Sequence, residues 1–255
     1  MRESDIRLRR VVDSNMIGIV FGDDLGRISD ANEAFLQLVG YGREDITDES
    51  LSWPALLPAE AHQRHIQALD EILQTGRCAP FETEIFRRDG ERIPVLVGAA
   101  RLSARRREGV AFVLDISERK RSVRKLKAEL ACADVLADAT STAAAAPLIL
   151  HIMLVALSWR SAALWSRGPA GLQLVASDGI VIEPGGESAT LAEHVCATQH
   201  QSWSPESGTL ALPLMAGEQC HGVLVLVGKH DDSGELLRTC RRIADRLAKF
   251  MSRTP

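Results

Sequence analysis

The chain has 255 residues, the length of two domains of ordinary size, and 45% of them are apolar, enough to fill two cores. A net charge of −4 and a pI of about 6.0 give no general attraction to nucleic acid. The five cysteines are scattered and contain no C-x-x-C pair, which favours free thiols in a reducing cytosol over disulfides or zinc. The start of the chain lacks the apolar core of a signal peptide, and the most apolar run, Leu148 to Leu157, is too short to span a bilayer. The expectation is a cytoplasmic protein with no membrane and no nucleic-acid partner.

Residues 3–13 pattern as a short amphipathic helix around Ile6, Leu8 and Val12. Ile17 to Phe21 reads as a strand, Asp24-Leu-Gly26 as a turn, and Arg27 to Asp30 as a second strand. Ala34, Phe35, Leu38 and Val39 fall at helical spacing. Gln63 to Thr75 predicts a longer helix with Ile66, Leu69, Ile72 and Leu73 on one face, stopped by Gly76. Strands follow at 81–86 and 92–101, flanking the hairpin turn Arg88-Asp-Gly90, and at 109–114. This is an α+β plan: a five-stranded antiparallel sheet with flanking helices.

Ile116, Val123, Leu130 and Ala137 recur every seven residues, with Leu126 and Ala133 between them and Arg119 interrupting the register. The pattern predicts a helical linker over residues 116–137 that carries a parallel dimer seam through Val123, Leu126 and Leu130. The alternative is an amphipathic helix packed on its own domain. Arg119 to Lys127 holds six basic residues in nine, read as the solvated outside of that helix. Beyond it, helices are expected at 132–140, 148–159, 187–198 and 233–251. Strands are expected at 162–165, 172–176, 209–215 and 221–227, giving a second antiparallel sheet with helices.

Two resemblances follow from ordered motifs. Ser14-Asn-Met-Ile-Gly-Ile-Val20, Gly26-Arg-Ile-Ser-Asp-Ala-Asn32, Glu33 to Tyr41, Pro80 to Phe86, Asp89 to Val95 and the exit Asp115-Ile-Ser-Glu-Arg-Lys120 make residues 1–121 resemble a PAS domain. Leu157 to Trp165, Leu212 to Met215, Gly222 to Val225 and Leu236 to Ile243 make residues 131–255 resemble a divergent GAF domain, shortened between Ile182 and Trp203. Together they resemble the sensory input region of bacterial two-component sensor histidine kinases. The resemblance implies a non-catalytic module that relays its state through Asp115, Ile116 and Ser117 to a partner, a sensor kinase or another signalling protein. A homodimer is expected.

No kinase, cyclase or hydrolase motif is present. A flavin-reactive cysteine in the LOV context is also lacking, because no cysteine follows Tyr41 until Cys78. The expected pocket wall is Phe35, Trp53, His65, Leu69, Ile72, Phe86, Val95, Val97 and Phe112, and a packed core of the same side chains is the competing reading. No cofactor is the first expectation. The alternative is haem, because His65 lies on the helix that carries the proximal histidine of haem PAS domains, ahead of Thr75-Gly76. His62 and His65 alone make a weak metal pair, so no metal site is expected otherwise.

Overall fold

The computed structural model describes residues 17–48, 50–103, 107–179, 186–204, 206–228 and 234–254. The expected helix at 3–13 lies outside them. The chain divides into two compact units, Met1–Lys120 and Arg121–Pro255.

In the first unit β1 (Gly18–Asp23) and β2 (Ile28–Ala31) form a hairpin, with Gly26 taking the left-handed conformation (φ 82°) its turn requires. Helices α1 (Glu33–Val39), α2 (Arg43–Thr47) and α3 (His62–Thr75) follow. Then come β3 (Phe81–Phe86), β4 (Arg92–Ser103) and β5 (Glu108–Asp115). The strand order is β2-β1-β5-β4-β3, and all pairings are antiparallel.

Asn32 ties α1 to the sheet. Its side-chain oxygen accepts from the backbone N–H of Phe35 at 3.0 Å, capping the helix, and from that of Ile19 at 2.8 Å. Its amide donates to the Ile17 carbonyl at 2.9 Å. The anchored helix drives Phe35, Leu36 and Val39 into a core with Ile85, Val95 and Val113.

The alternation along β4 and β5 sorts the two sheet faces. Val95, Val97 and Ala99 share one face, and across the ladder Val97 opposes Val113 while Ala99 opposes Ala111. Gly98 and Phe112 oppose each other on the other face, where a Cβ on Gly98 would lie 2.4 Å from the Phe112 ring. Glycine at 98 is what admits that ring.

The expected linker helix over 116–137 is α4 (Ser117–Asp138), shifted by one residue along the chain. It is not free-standing. Ala128 and Cys132 are buried in the second unit's core, so that unit starts near Arg121 and not near residue 131. After α5 (Thr142–Leu157) come β6 (Ser161–Gly168), β7 (Gly171–Gly179), α6 (Glu187–Thr198), β8 (Ser202–Ser204), β9 (Thr209–Ala216), β10 (Gln219–Val227) and α7 (Gly234–Met251). The order β7-β6-β10-β9-β8 repeats the plan of the first sheet.

Both faces of this second sheet are covered. Leu164, Leu212 and Leu224 pack with side chains of α4, α5 and α7, whereas Ala163, Val223 and Val225 pack with those of α6. Two-sided burial explains why β6, β9 and β10 read as near-continuous apolar runs.

Candidate ligand cavity and exit turn

Between α3 and the sheet of the first unit lies a cavity of about 430 Å3. It exists because α3 is amphipathic but does not close onto its strands. Ile66, Leu69 and Leu73 line the cavity and remain 60%, 39% and 52% exposed. On the sheet side the facing residues are small: Ala99 and Ala111, paired across β4 and β5, leave room where larger side chains would meet the helix. Val97, Leu57 and Ala68 continue the apolar wall.

The polar part of the wall is a Trp–His pair. Trp53 Nε1 donates to His65 Nδ1 at 3.1 Å. An indole N–H is only a donor, so His65 Nδ1 accepts and the neutral ring carries its proton on Nε2. His65 is 8% exposed, and its Nε2 is sealed from solvent without a hydrogen-bond partner among the described residues. Burial, with Arg64 and His62 adding positive charge, pushes the His65 pKa down to about 4, so the ring is neutral near pH 7. Phe81 stands edge-on to the imidazole at 5.1 Å and carries the Arg64 guanidinium 4.1 Å from its centroid.

Haem does not fit this pair. Iron ligation through Nε2 needs the lone pair there and the proton on Nδ1, the reverse of what the Trp53 bond imposes. Among the described residues no cluster of three or more His, Cys, Asp or Glu is placed to hold a metal ion.

Of the expected wall, Trp53, His65, Leu69, Ile72 and Val97 line the cavity. Phe35 and Val95 do not: both are fully buried in the packed core, where Phe35 lies 6.3 Å from the Trp53 ring. Phe86 and Phe112 fall on the opposite sheet face, Phe86 beside the Arg92 guanidinium and Phe112 against Gly98. A one-residue step in a strand reverses the face, so neither phenylalanine can reach α3.

The exit turn is built from β5 onward. Asp115 Oδ1 accepts the Ser117 N–H at 2.7 Å. Ile116, 4% exposed, donates its N–H to the Pro94 carbonyl at 3.0 Å, and its own carbonyl accepts from Lys120 at 2.9 Å to open α4. Sequence reasoning missed Glu82 on β3. Its carboxylate pairs with Arg119 and lies 3.5 Å from Lys120 Nζ, fastening the first turn of α4 to the sheet edge. The Arg119 hydrogen bond holds the Glu82 carboxyl below the usual carboxylate range.

Along α4, Val123, Leu126 and Leu130 are 46%, 58% and 55% exposed. At about 100° per residue they lie opposite the buried Ala128 and Cys132. Burial pushes the Cys132 and Cys240 thiols up to about 12 and raises that of Cys196, which keeps these three protonated.

Residues 16–118 match the family model of the PAS domain. The match lies within the N-terminal unit, whose sequence is similar to PAS domains. PAS domains are sensory modules of signal-transduction proteins. Over 103 residues the chain is 32% identical to "Hybrid signal transduction protein dokA" from Dictyostelium discoideum, a match spanning 40% of this chain and 6% of that protein. A domain of a sensory box sensor histidine kinase/response regulator from Geobacter sulfurreducens is 20% identical, with a TM-score of 0.37 over 44% of this chain and 94% of that one. The A. aeolicus nlh2 GAF domain is 14% identical, with a TM-score of 0.46 over 52% of this chain and 98% of that one. Among the described residues no helix is long and apolar enough to cross a membrane.

Proposed function

We propose that the chain is a signal-input and relay module in which a small molecule occupies the PAS cavity and α4 carries the effect to a signalling partner. The observation that carries this reading is the stand-off of α3. A folded helix leaves Ile66, Leu69 and Leu73 exposed beside an apolar space of about 430 Å3. Burying such side chains is worth about 1.5–3 kcal/mol each, so an occupant that covers them is favoured.

The route out is short. Ala111 on the cavity wall and Asp115 at the exit turn lie on the same strand, four residues apart. A shift of β5 against β4 therefore reaches the Asp115–Ser117 turn and the Glu82 clamp directly. A ligand changes this equilibrium only as far as it prefers one strand arrangement over the other. The exposed seam of Val123, Leu126 and Leu130 supports a second copy of the chain as the immediate partner, with a sensor kinase or another signalling protein as the recipient. The reading needs no cofactor.

Isothermal titration with diphenylmethane, an apolar probe small enough for the cavity, tests it. Saturable binding at one site per chain, abolished by Ala99→Phe, is expected. No binding, or binding that survives Ala99→Phe, overturns the receptor reading.

A further inference from the structure

We infer that the cavity of the first unit selects an amphiphilic anion, an apolar body carrying one carboxylate, and that the carboxylate is received by the guanidinium of Arg101. This rests on the receptor reading above and names the class of ligand.

Three observations converge on Arg101. It lines the cavity, and alternation along β4 aims its side chain there: Val97, Ala99 and Arg101 share one sheet face, whereas Leu102, 58% exposed, takes the other. Across the ladder it faces Gly109, which brings no side chain to fill the space beside it. The half-buried guanidinium has no hydrogen-bond or ion-pair partner among the described residues. Its backbone N–H donates to the Gly76 carbonyl at 2.8 Å, which sets the cation at the end of the cavity where α3 finishes.

The other charged groups nearby are engaged elsewhere or turned away. Asp24 is paired with Arg107 at 2.6 Å, and Asp23 accepts the N–H groups of Leu25 and Arg27 at 3.0 and 2.9 Å. Glu71 on α3 is held by Arg64 at 3.2 Å and by the Ala79 N–H at 3.3 Å. Glu108 stands at the rim, on a position of β5 that alternates to the Phe112 face. An anion entering an apolar space loses its hydration and is rejected unless a fixed cation meets it. A guanidinium does so through two parallel N–H bonds that match the two oxygens of a carboxylate. A neutral molecule of the same shape gains only the apolar burial, so the cavity ranks the acid above its hydrocarbon.

The test compares 4-benzylbenzoate with diphenylmethane, which share a body and differ by one carboxylate. The preference for the carboxylate in the wild-type chain should exceed that in Arg101→Met by about tenfold, the scale of one hydrogen bond to a charged group. Arg101→Lys keeps the charge and loses the fork, so its preference should fall between the two. An equal preference in wild type and Arg101→Met, with diphenylmethane still bound, overturns the carboxylate rule and leaves the receptor reading standing. Failure of both probes to bind the wild type removes both. The cation of the same body, 4-benzylbenzylammonium, gives a reading independent of the variants. It should bind the wild type more weakly than the carboxylate, and the reverse order overturns the inference.

Discussion

At the scale of residues, the two most informative positions are His65 and Gly98. His65 is neutral in the folded chain, with its pKa down at about 4 against an ordinary value near 6.5. Between those values the unfolded chain binds a proton that the folded chain does not. Its stabilising contribution is therefore complete above about pH 6.5 and drains as pH falls toward 4, by up to about 3 kcal/mol. Thermal melts at pH 7 and pH 5 should show a loss in the wild type that shrinks in His65→Gln. An equal loss in both would assign the acid sensitivity elsewhere. Gly98 makes a separate prediction. Ala in its place meets the Phe112 ring and should cost about 1–3 kcal/mol, and Phe112→Leu in the same chain should recover part of it. Additive losses in the double variant would contradict the contact.

At the scale of elements, the exit turn and the seam on α4 carry the argument. Asp115→Ala removes the acceptor for the Ser117 N–H and should lower stability by about 0.5–2 kcal/mol, with Asp115→Asn restoring much of it. An unchanged denaturation midpoint would count against the turn as a structural anchor. Charged residues in place of Val123 and Leu126 alter a face opposite to the one packed in the second unit. The melting temperature should hold while sedimentation shifts from dimer to monomer. A native chain already monomeric at micromolar concentration would end the seam proposal.

The elements were legible where one periodicity dominates. The helix at 187–198 and the strand at 81–86 have the expected limits, because Gly and turn residues bound them. The three-residue β8 and five-residue α2 were not anticipated, since neither is long enough to display a period. The cavity was half legible. Helical spacing places His65, Leu69 and Ile72 on one side, but Phe112 was assigned to the wrong sheet face because β5 is apolar on both. The signals passed over were small residues: Ala99 and Ala111, paired across the two strands that face an amphipathic helix, are what leave the space open. Glu82 was invisible for another reason, since its partners Arg119 and Lys120 lie 37 and 38 residues away in sequence.

At the scale of the molecule, two units of similar sheet order solve different problems. The second unit covers both sheet faces and fills its core with leucine and alanine, whereas the first unit leaves α3 short of its sheet. The central claim is that the state of that cavity reaches α4 through β5 and the Glu82 clamp. Amide hydrogen exchange over residues 115–127 tests it most directly, measured in the wild type, in Ala99→Phe as a filled-cavity mimic, and in Ala99→Phe combined with Glu82→Ala. The account predicts that Ala99→Phe changes protection over the first turns of α4 and that Glu82→Ala weakens this response. Identical exchange over 115–127 in wild type and Ala99→Phe, with altered exchange confined to the cavity wall, would contradict it.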